Sequence, residues 1–358
     1  MNESFRLNTI LNRVTQSIVL AYQGLAIVIF LASLWFAYEW LRTPFLGGFF
    51  EQTMMLNGTD TREVGSHWAL YAQGFKIGDQ LVSVNGQPIS SAEDLDYVLS
   101  PLQTGQNVPI EIRTTTGDLR QANVKLQSFP AFDRLSYLII PAILSLVFLG
   151  ISLWIFGLRR AESAGRAFSM MTTSLAIVIG ALFDLYTTHR FTYLWTLAAA
   201  LSGGALIDLA LCFPQEPRFL FRYPYLRWFG YVVGAGLAIN AYFKLYDFAN
   251  PTAYFVAWRF IYIFTGLSAL FYFGALAYHA FLSRSPVVKS QARTILFGVL
   301  FAFGPIVVWL LYSSWKNAIQ GLENPVAFNP YLFVPFILFP LVNGYVILRF
   351  RLLRTDYW

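Results

Sequence analysis

Two apolar stretches, residues 17–41 and 135–158, bracket a polar stretch that has the turn chemistry of a water-soluble fold. Each apolar stretch supplies the roughly 20 residues needed to cross the ~30 Å hydrocarbon core of a bilayer. A chain that enters a membrane, leaves it to fold in water and then returns cannot build a single soluble core. Six more apolar segments follow, at 167–188, 191–213, 228–247, 256–282, 294–314 and 329–348. Mean hydropathy is +0.53 and 12% of residues are charged, against about 25% in an ordinary soluble domain. The expected fold is a polytopic α-helical membrane protein of about eight transmembrane helices, with a small α+β domain inserted after the first.

The net charge of +6 raises the question of nucleic acid, and its distribution answers it. Arg6, Arg13, Arg159, Arg160, Arg166, Arg218, Arg222, Arg227, Arg284, Lys289, Arg293, Arg349, Arg351 and Arg354 fall on one side of the eight-segment map. The short loops and span ends of the other side hold only Arg190, Lys244, Arg259 and Lys316. The positive-inside rule then puts both termini in the cytoplasm and the insert outside. The basic excess is a topology signal, with anionic membrane lipids as its natural partners and no nucleic acid implied. The expected location is the inner (plasma) membrane of a bacterium.

The first span is too long for a signal-peptide core, and Trp40-Leu41-Arg42-Thr43 is no small-residue cleavage site, so it should stay as an anchor. Gly203-Gly204, Gly234, Gly236, Gly298, Gly304-Pro305, Pro335 and Pro340 punctuate the spans, where such residues imply close helix packing, a kink or a functional hinge. Asp208 is the leading intramembrane polar candidate: it can be neutral, paired with a base or act as a proton-sensitive switch, or simply bond a neighbouring hydroxyl. Glu39, Asp184 and Lys244 near outer span ends suggest headgroup contact. Asn240 suggests glue between helices. Trp35, Trp40, Trp195 and Trp258 suggest an outer aromatic belt.

The insert reads as alternating strands and one helix. Val82 and Val84 precede Asn85-Gly86, a strong two-residue turn signal because both positions accept positive φ. Ser91 before Glu93 and Asp94 marks a helix start, followed by Leu95, Val98, Leu99 and Leu102, with Gly105 as its end. Val108, Ile110 and Ile112 form one strand; Ala122, Val124 and Leu126 form the next after the Gly117 turn.

This order, with Gly74, Gly78-Asp79, Val84-Asn85-Gly86, Pro88-Ile89 and Gly105, resembles a bacterial-type PDZ domain over residues 43–128. The resemblance makes Gly78, Asp79, Asn85 and Gly86 structural. It also implies capture of a peptide or protein C-terminus by a loop of backbone N–H groups near Leu46, Gly47, Gly48 and Phe49. A structural module that captures no peptide is the other reading. Either way, residues 43–130 are expected to fold as an autonomous unit.

The later spans carry a second resemblance. Ser202 to Pro214, Ser285 to Arg293 and Tyr345 to Leu353 are similar to the seven-helix membrane sensor region of bacterial sensor histidine kinases. Asp208 stands where such kinases more often carry a histidine, so a pocket built on that histidine does not transfer. In the family an exit helix feeds a kinase core, and the sequence through Trp358 contains none, so no kinase activity is expected of it.

Protease chemistry finds no constellation either. There is no pair of histidines one turn apart around a glutamate. His279 and Ser283, though one turn apart, sit where a helix runs into a basic loop. The single Cys212 excludes an internal disulfide. No catalytic residue, metal site or cofactor is expected.

The resulting map is a cytoplasmic N-terminus at 1–16, a span at 17–41, the PDZ-like domain at 43–130, a bundle at 135–348 and a cytoplasmic stub at 349–358. Its expected role is a sensor or receptor that detects a peptide, lipid or partner outside and signals to a cytoplasmic partner. Such a module works as a monomer or a homodimer. The alternative is a membrane scaffold or assembly subunit with no signalling output.

Overall fold

The computed structural model describes residues 2–57, 68–214, 218–320 and 330–342. His67, the end of the last expected span and the stub at 349–358 lie outside the described residues. The described chain is mostly helical, with one small antiparallel sheet.

Helix α1 (Asn2–Trp40) leads into the insert. The insert holds α2 (Ala69–Ala72), β1 (Gln80–Val84), β2 (Gln87–Pro88), α3 (Ala92–Leu99), β3 (Asn107–Arg113) and β4 (Leu119–Lys125). The chain re-enters through α4 (Ala131–Arg134) and a wide π-type turn (Leu135–Ile139) into α5 (Ile140–Arg159). Then come α6 (Ser163–Gly180), α7 (Leu182–Tyr186), α8 (Thr192–Cys212), α9 (Arg218–Arg222), α10 (Phe229–Tyr242), α11 (Ala253–Leu282) and α12 (Pro286–Gln320). A 3-10 turn spans Pro330–Ile337.

Among the described residues, five helical stretches are long and apolar enough to cross a membrane: Asn12–Trp40, Ala131–Arg159, Thr192–Cys212, Ala253–Leu282 and Pro286–Lys316. The described parts of the other three expected segments are helical but different in kind. The first is α6, which carries Arg166 and a run of Ser and Thr, almost all buried inside the bundle. Ser169 and Thr172 bond carbonyls one turn back, and Ser152 of α5 bonds the Ser169 carbonyl and the Thr173 hydroxyl. A helix surrounded by protein needs no lipid-facing apolar surface. The second, α10, has 14 residues, about 21 Å at 1.5 Å per residue. The third is the short apolar stretch Tyr331–Val342.

Two of the expected glycine contacts join α8 to α10. A Cβ on Gly204 would lie 2.8 Å from the Gly230 carbonyl carbon, and one on Gly234 would lie 2.7 Å from the Ala200 carbonyl oxygen. Only hydrogen fits at such a backbone-to-backbone approach.

In the insert the sheet order is β2-β1-β3-β4, antiparallel throughout. Asn85 (φ 52°) and Gly86 (φ 76°) turn β1 into β2 as expected. The Ser91 hydroxyl accepts the Asp94 N–H at 3.1 Å and caps α3. Asp79 accepts the backbone N–H of Lys76 and of Thr115, at 2.8 and 3.0 Å, and so pins two loops.

Two expectations need correction. The inward residues of β1 are Leu81 and Val84, not Val82 and Val84, because a bulge between Leu81 and Ser83 breaks the alternation. Helix α3 ends at Leu99, before Gly105. Pro101 offers no N–H and crowds the turn before it.

Candidate functional site

The insert does not hang from the bundle by its two ends alone. Trp40, Phe45, Phe49, Trp68, Phe129, Tyr137, Phe183 and Tyr186 form one aromatic cluster drawn from insert and bundle. Phe49 stands edge-on to Trp68 at 4.9 Å and stacks on Tyr186 at 5.5 Å. Edge-to-face pairs of this kind add to the area they bury. The Trp68 indole N–H donates to the Asp133 carboxylate at 2.8 Å, and both residues are fully buried.

This cluster settles where the expected peptide-capture segment lies. Leu46 packs into the insert's own core and Phe49 into the shared cluster. A Cβ on Gly47 would meet the Ala69 backbone nitrogen, and one on Gly48 would meet Leu56 and Leu70. Gly47 has φ +93° and its carbonyl accepts the Leu70 N–H. Leu46, Gly47 and Gly48 thus pack within the insert, and Phe49 packs against the bundle.

The adjoining residues carry polar contacts to the bundle's loops. His189 (φ 55°) brings its Nε2 within 2.9 Å of the Phe50 carbonyl oxygen. The Thr53 hydroxyl donates to the Pro251 carbonyl at 3.3 Å, and Arg190 faces Glu93 at 3.6 Å. Glu51 is buried and accepts the Asn57 side-chain amide at 2.6 Å. Burial pushes its carboxyl up to about 7. The Tyr254 hydroxyl, which closes no hydrogen bond of ordinary geometry among the described residues, faces the carboxyl and offsets part of that rise. Burial lowers His189 to about 4, with the Phe50 carbonyl opposing.

Beneath Glu51 and Asn57 lies a cavity of about 220 Å³ between α6, α8, α11, α12 and the Pro330–Ile337 turn. Trp195 and Trp258 are in its wall. They are buried, their rings 5.1 Å apart, and their N–H groups donate to the Val178 carbonyl and the Thr196 hydroxyl. They are therefore interior residues, not part of an outer belt; Trp35 is 61% exposed.

Asp208 is paired. Its carboxylate receives Arg227 Nε at 2.8 Å and Nη2 at 3.4 Å, with the Tyr231 hydroxyl at 3.3 Å and the Cys212 thiol at 3.4 Å. The pair ties the end of α8 to the 3-10 turn (Pro224–Trp228) that leads into α10, next to the Gly204–Gly230 approach. It lies at the opposite end of α8 from the insert junction.

Two more polar expectations change. Asp184 is not in headgroup contact. Buried, it accepts the backbone N–H of Arg190 and Phe191 and the Thr188 hydroxyl, and so shapes the turn into α8. Asn240 is exposed rather than buried between the described helices. Glu39 lies in the last turn of α1, 3.7 Å from Arg42.

Sequence reasoning missed Glu51, Trp68 and His189. Only Glu51 left a signal, as a lone acid inside the run Phe49-Phe50-Glu51 ahead of Met54-Met55-Leu56.

Fold and junction define a class: a helical membrane protein with a small antiparallel-sheet domain built into its bundle. Compared with models of known protein families and with curated proteins, the chain matches none.

Proposed function

We propose that this protein is a membrane sensor or receptor module. In this reading the PDZ-like insert lies outside the cytoplasm and registers a peptide, lipid or partner. The helices pass the resulting shift to the inner face, where Arg349–Trp358 meets a signalling partner. The segregation of basic residues supports this orientation. The observation that carries the reading is the breadth of the junction. The insert touches the bundle at the aromatic cluster, at His189, at Pro251 and at Arg190 as well as at its own two ends. A ligand that favours one posture of the insert must then favour one packing of the helices.

A scaffold without output is the second reading. It is favoured by the packing of the Leu46 and Phe49 side chains, which makes that segment part of the interior that holds insert and bundle together.

Fusion of residues 1–354 to a sensor-kinase core, with single-residue linker insertions, separates the two. A sensor gives activity that rises and falls with helical period near 3.6. Crosslinking the insert to the bundle through cysteines at Glu93 and Arg190 then locks one level. Activity indifferent to both linker register and crosslink means a scaffold.

A further inference from the structure

The cavity under the insert is graded along its length. At the insert end its wall holds Glu51, Asn57, Arg259 and Ser314. The Ser314 hydroxyl is buried and has no hydrogen-bond partner among the described residues. Ser202 and Thr265 sit midway, but both hydroxyls are already spent on the Ala199 carbonyl. Farther from the insert the wall is Leu206, Ala269, Phe303 and Phe336. An apolar cavity of roughly 150 Å³ accepts benzene, so about 220 Å³ holds a larger apolar body. Polar groups gathered at one end of an apolar cavity orient a ligand.

We propose that this cavity binds one amphipathic molecule, a single apolar chain carrying an uncharged hydrogen-bonding head such as a hydroxyl or amide. The head lies under the insert against Glu51, Asn57 and Ser314, and the chain runs between α8, α11 and α12. An uncharged head fits because the wall around Glu51, Asn57 and Ser314 offers hydrogen-bonding groups in an otherwise apolar lining, where a buried charge costs most. A net charge brought into so apolar a space would lack compensation. A hydroxyl or amide both donates and accepts, which suits a wall holding a carboxyl, an amide and a hydroxyl. A charged chain of the same length is therefore the weaker ligand. Such a molecule touches insert and bundle at once, and its occupancy is a binding property that stands whether or not the protein signals.

The test uses the full chain in lipid nanodiscs with ω-bromoundecanol as probe, since bromine quenches nearby indoles and Trp195, Trp258 and Trp309 line the cavity. The expected result is a saturable fraction of quenching, above the linear background from lipid-exposed tryptophans. It should be lost in Ser202→Leu and in Ala199→Leu, which fill the middle of the cavity. Each variant is first checked for an unchanged thermal unfolding midpoint. ω-Bromoundecanoate should bind at least tenfold more weakly than the alcohol. If both filling variants misfold, competition of the wild-type quenching by unbrominated undecanol decides: displacement supports the site and none overturns it. Quenching linear in probe, and equal in wild type and folded variants, also overturns it. Organic extraction of the purified protein identifies the source: a stoichiometric chain alcohol or amide means a resident membrane lipid. Clean extracts with saturable probe binding mean a ligand that arrives from outside.

Discussion

His189 Nε2 lies 2.9 Å from the Phe50 carbonyl oxygen, a contact between residues 139 positions apart. One belongs to the turn between α7 and α8, the other to the strand-like stretch that follows Phe49. His189 reaches across only because its backbone adopts φ 55°, a region a non-glycine residue occupies at some cost. Its Nδ1 is buried without a partner among the described residues. A neutral ring donating from Nε2 suits this site, and protonation does not.

That contact and Glu51 together predict an unusual pH response. Burial raises Glu51 from 4.5 to about 7, so between those values the folded state holds a proton the unfolded state has lost. Its contribution is present below pH 4.5 and is lost as pH rises through 7. His189 is lowered from 6.5 to about 4, so its contribution is present above 6.5 and is lost as pH falls through 4. Each is worth up to about 3 kcal/mol, and the two oppose each other between pH 4.5 and 6.5. Thermal midpoints of the wild type should be nearly flat over that window. Glu51→Gln should expose a fall toward acid, and His189→Gln a fall toward neutral pH. Identical profiles for all three proteins would refute the buried placement of both groups.

The aromatic cluster makes the insert depend on the bundle. Phe49→Ala and Trp68→Ala should each cost about 3–5 kcal/mol. Trp68→Phe should cost about 1–3 kcal/mol by removing the indole donor to Asp133. An excised 43–130 fragment exposes Phe45, Phe49 and Trp68, so it should self-associate in sedimentation experiments. A monomeric fragment would mean that the ring faces left bare by the loss of Trp40, Tyr137, Phe183 and Tyr186 need no cover.

Asp208 and Arg227 form a pair with side chains 8% and 17% exposed. Removing one partner leaves the other buried and uncompensated, at about 3–5 kcal/mol. Asp208→Ala and Arg227→Ala should each lower the unfolding midpoint in detergent. The double variant should lose much less than the sum of the two; a strictly additive result would count against the pairing.

Gly204→Val should disrupt α8 against α10 more than Gly236→Val does. The first Cβ meets backbone at 2.8 Å and the second meets nothing within 4 Å. Equal midpoints for the two variants would show that the helices do not approach there.

Gly86→Val places a β-branched residue at φ 76°, where it is strained. Asp79→Ala removes acceptors for two backbone N–H groups, at about 1–3 kcal/mol. Both should lower the insert's protection in amide hydrogen exchange while α11 and α12 stay protected.

By itself the sequence determined what depends on local period and local chemistry. Apolar length marked the helices, Asn85-Gly86 marked a turn and Ser91 marked a cap, because each is decided within a few residues. It also singled out Asp208, since a carboxylate in an apolar helix demands a partner. It could not name Arg227, because only the packing of α8 on α10 brings that residue near. It read Trp195 and Trp258 as a belt and Asp184 as a headgroup contact, since a helix end looks the same whether lipid or protein surrounds it. The burial of Leu46–Phe49, the meeting of His189 with Phe50 and the cavity under Glu51 depend on how the insert is seated. That seating comes from aromatic rings far apart in sequence, and contacts between rings leave no spacing to read.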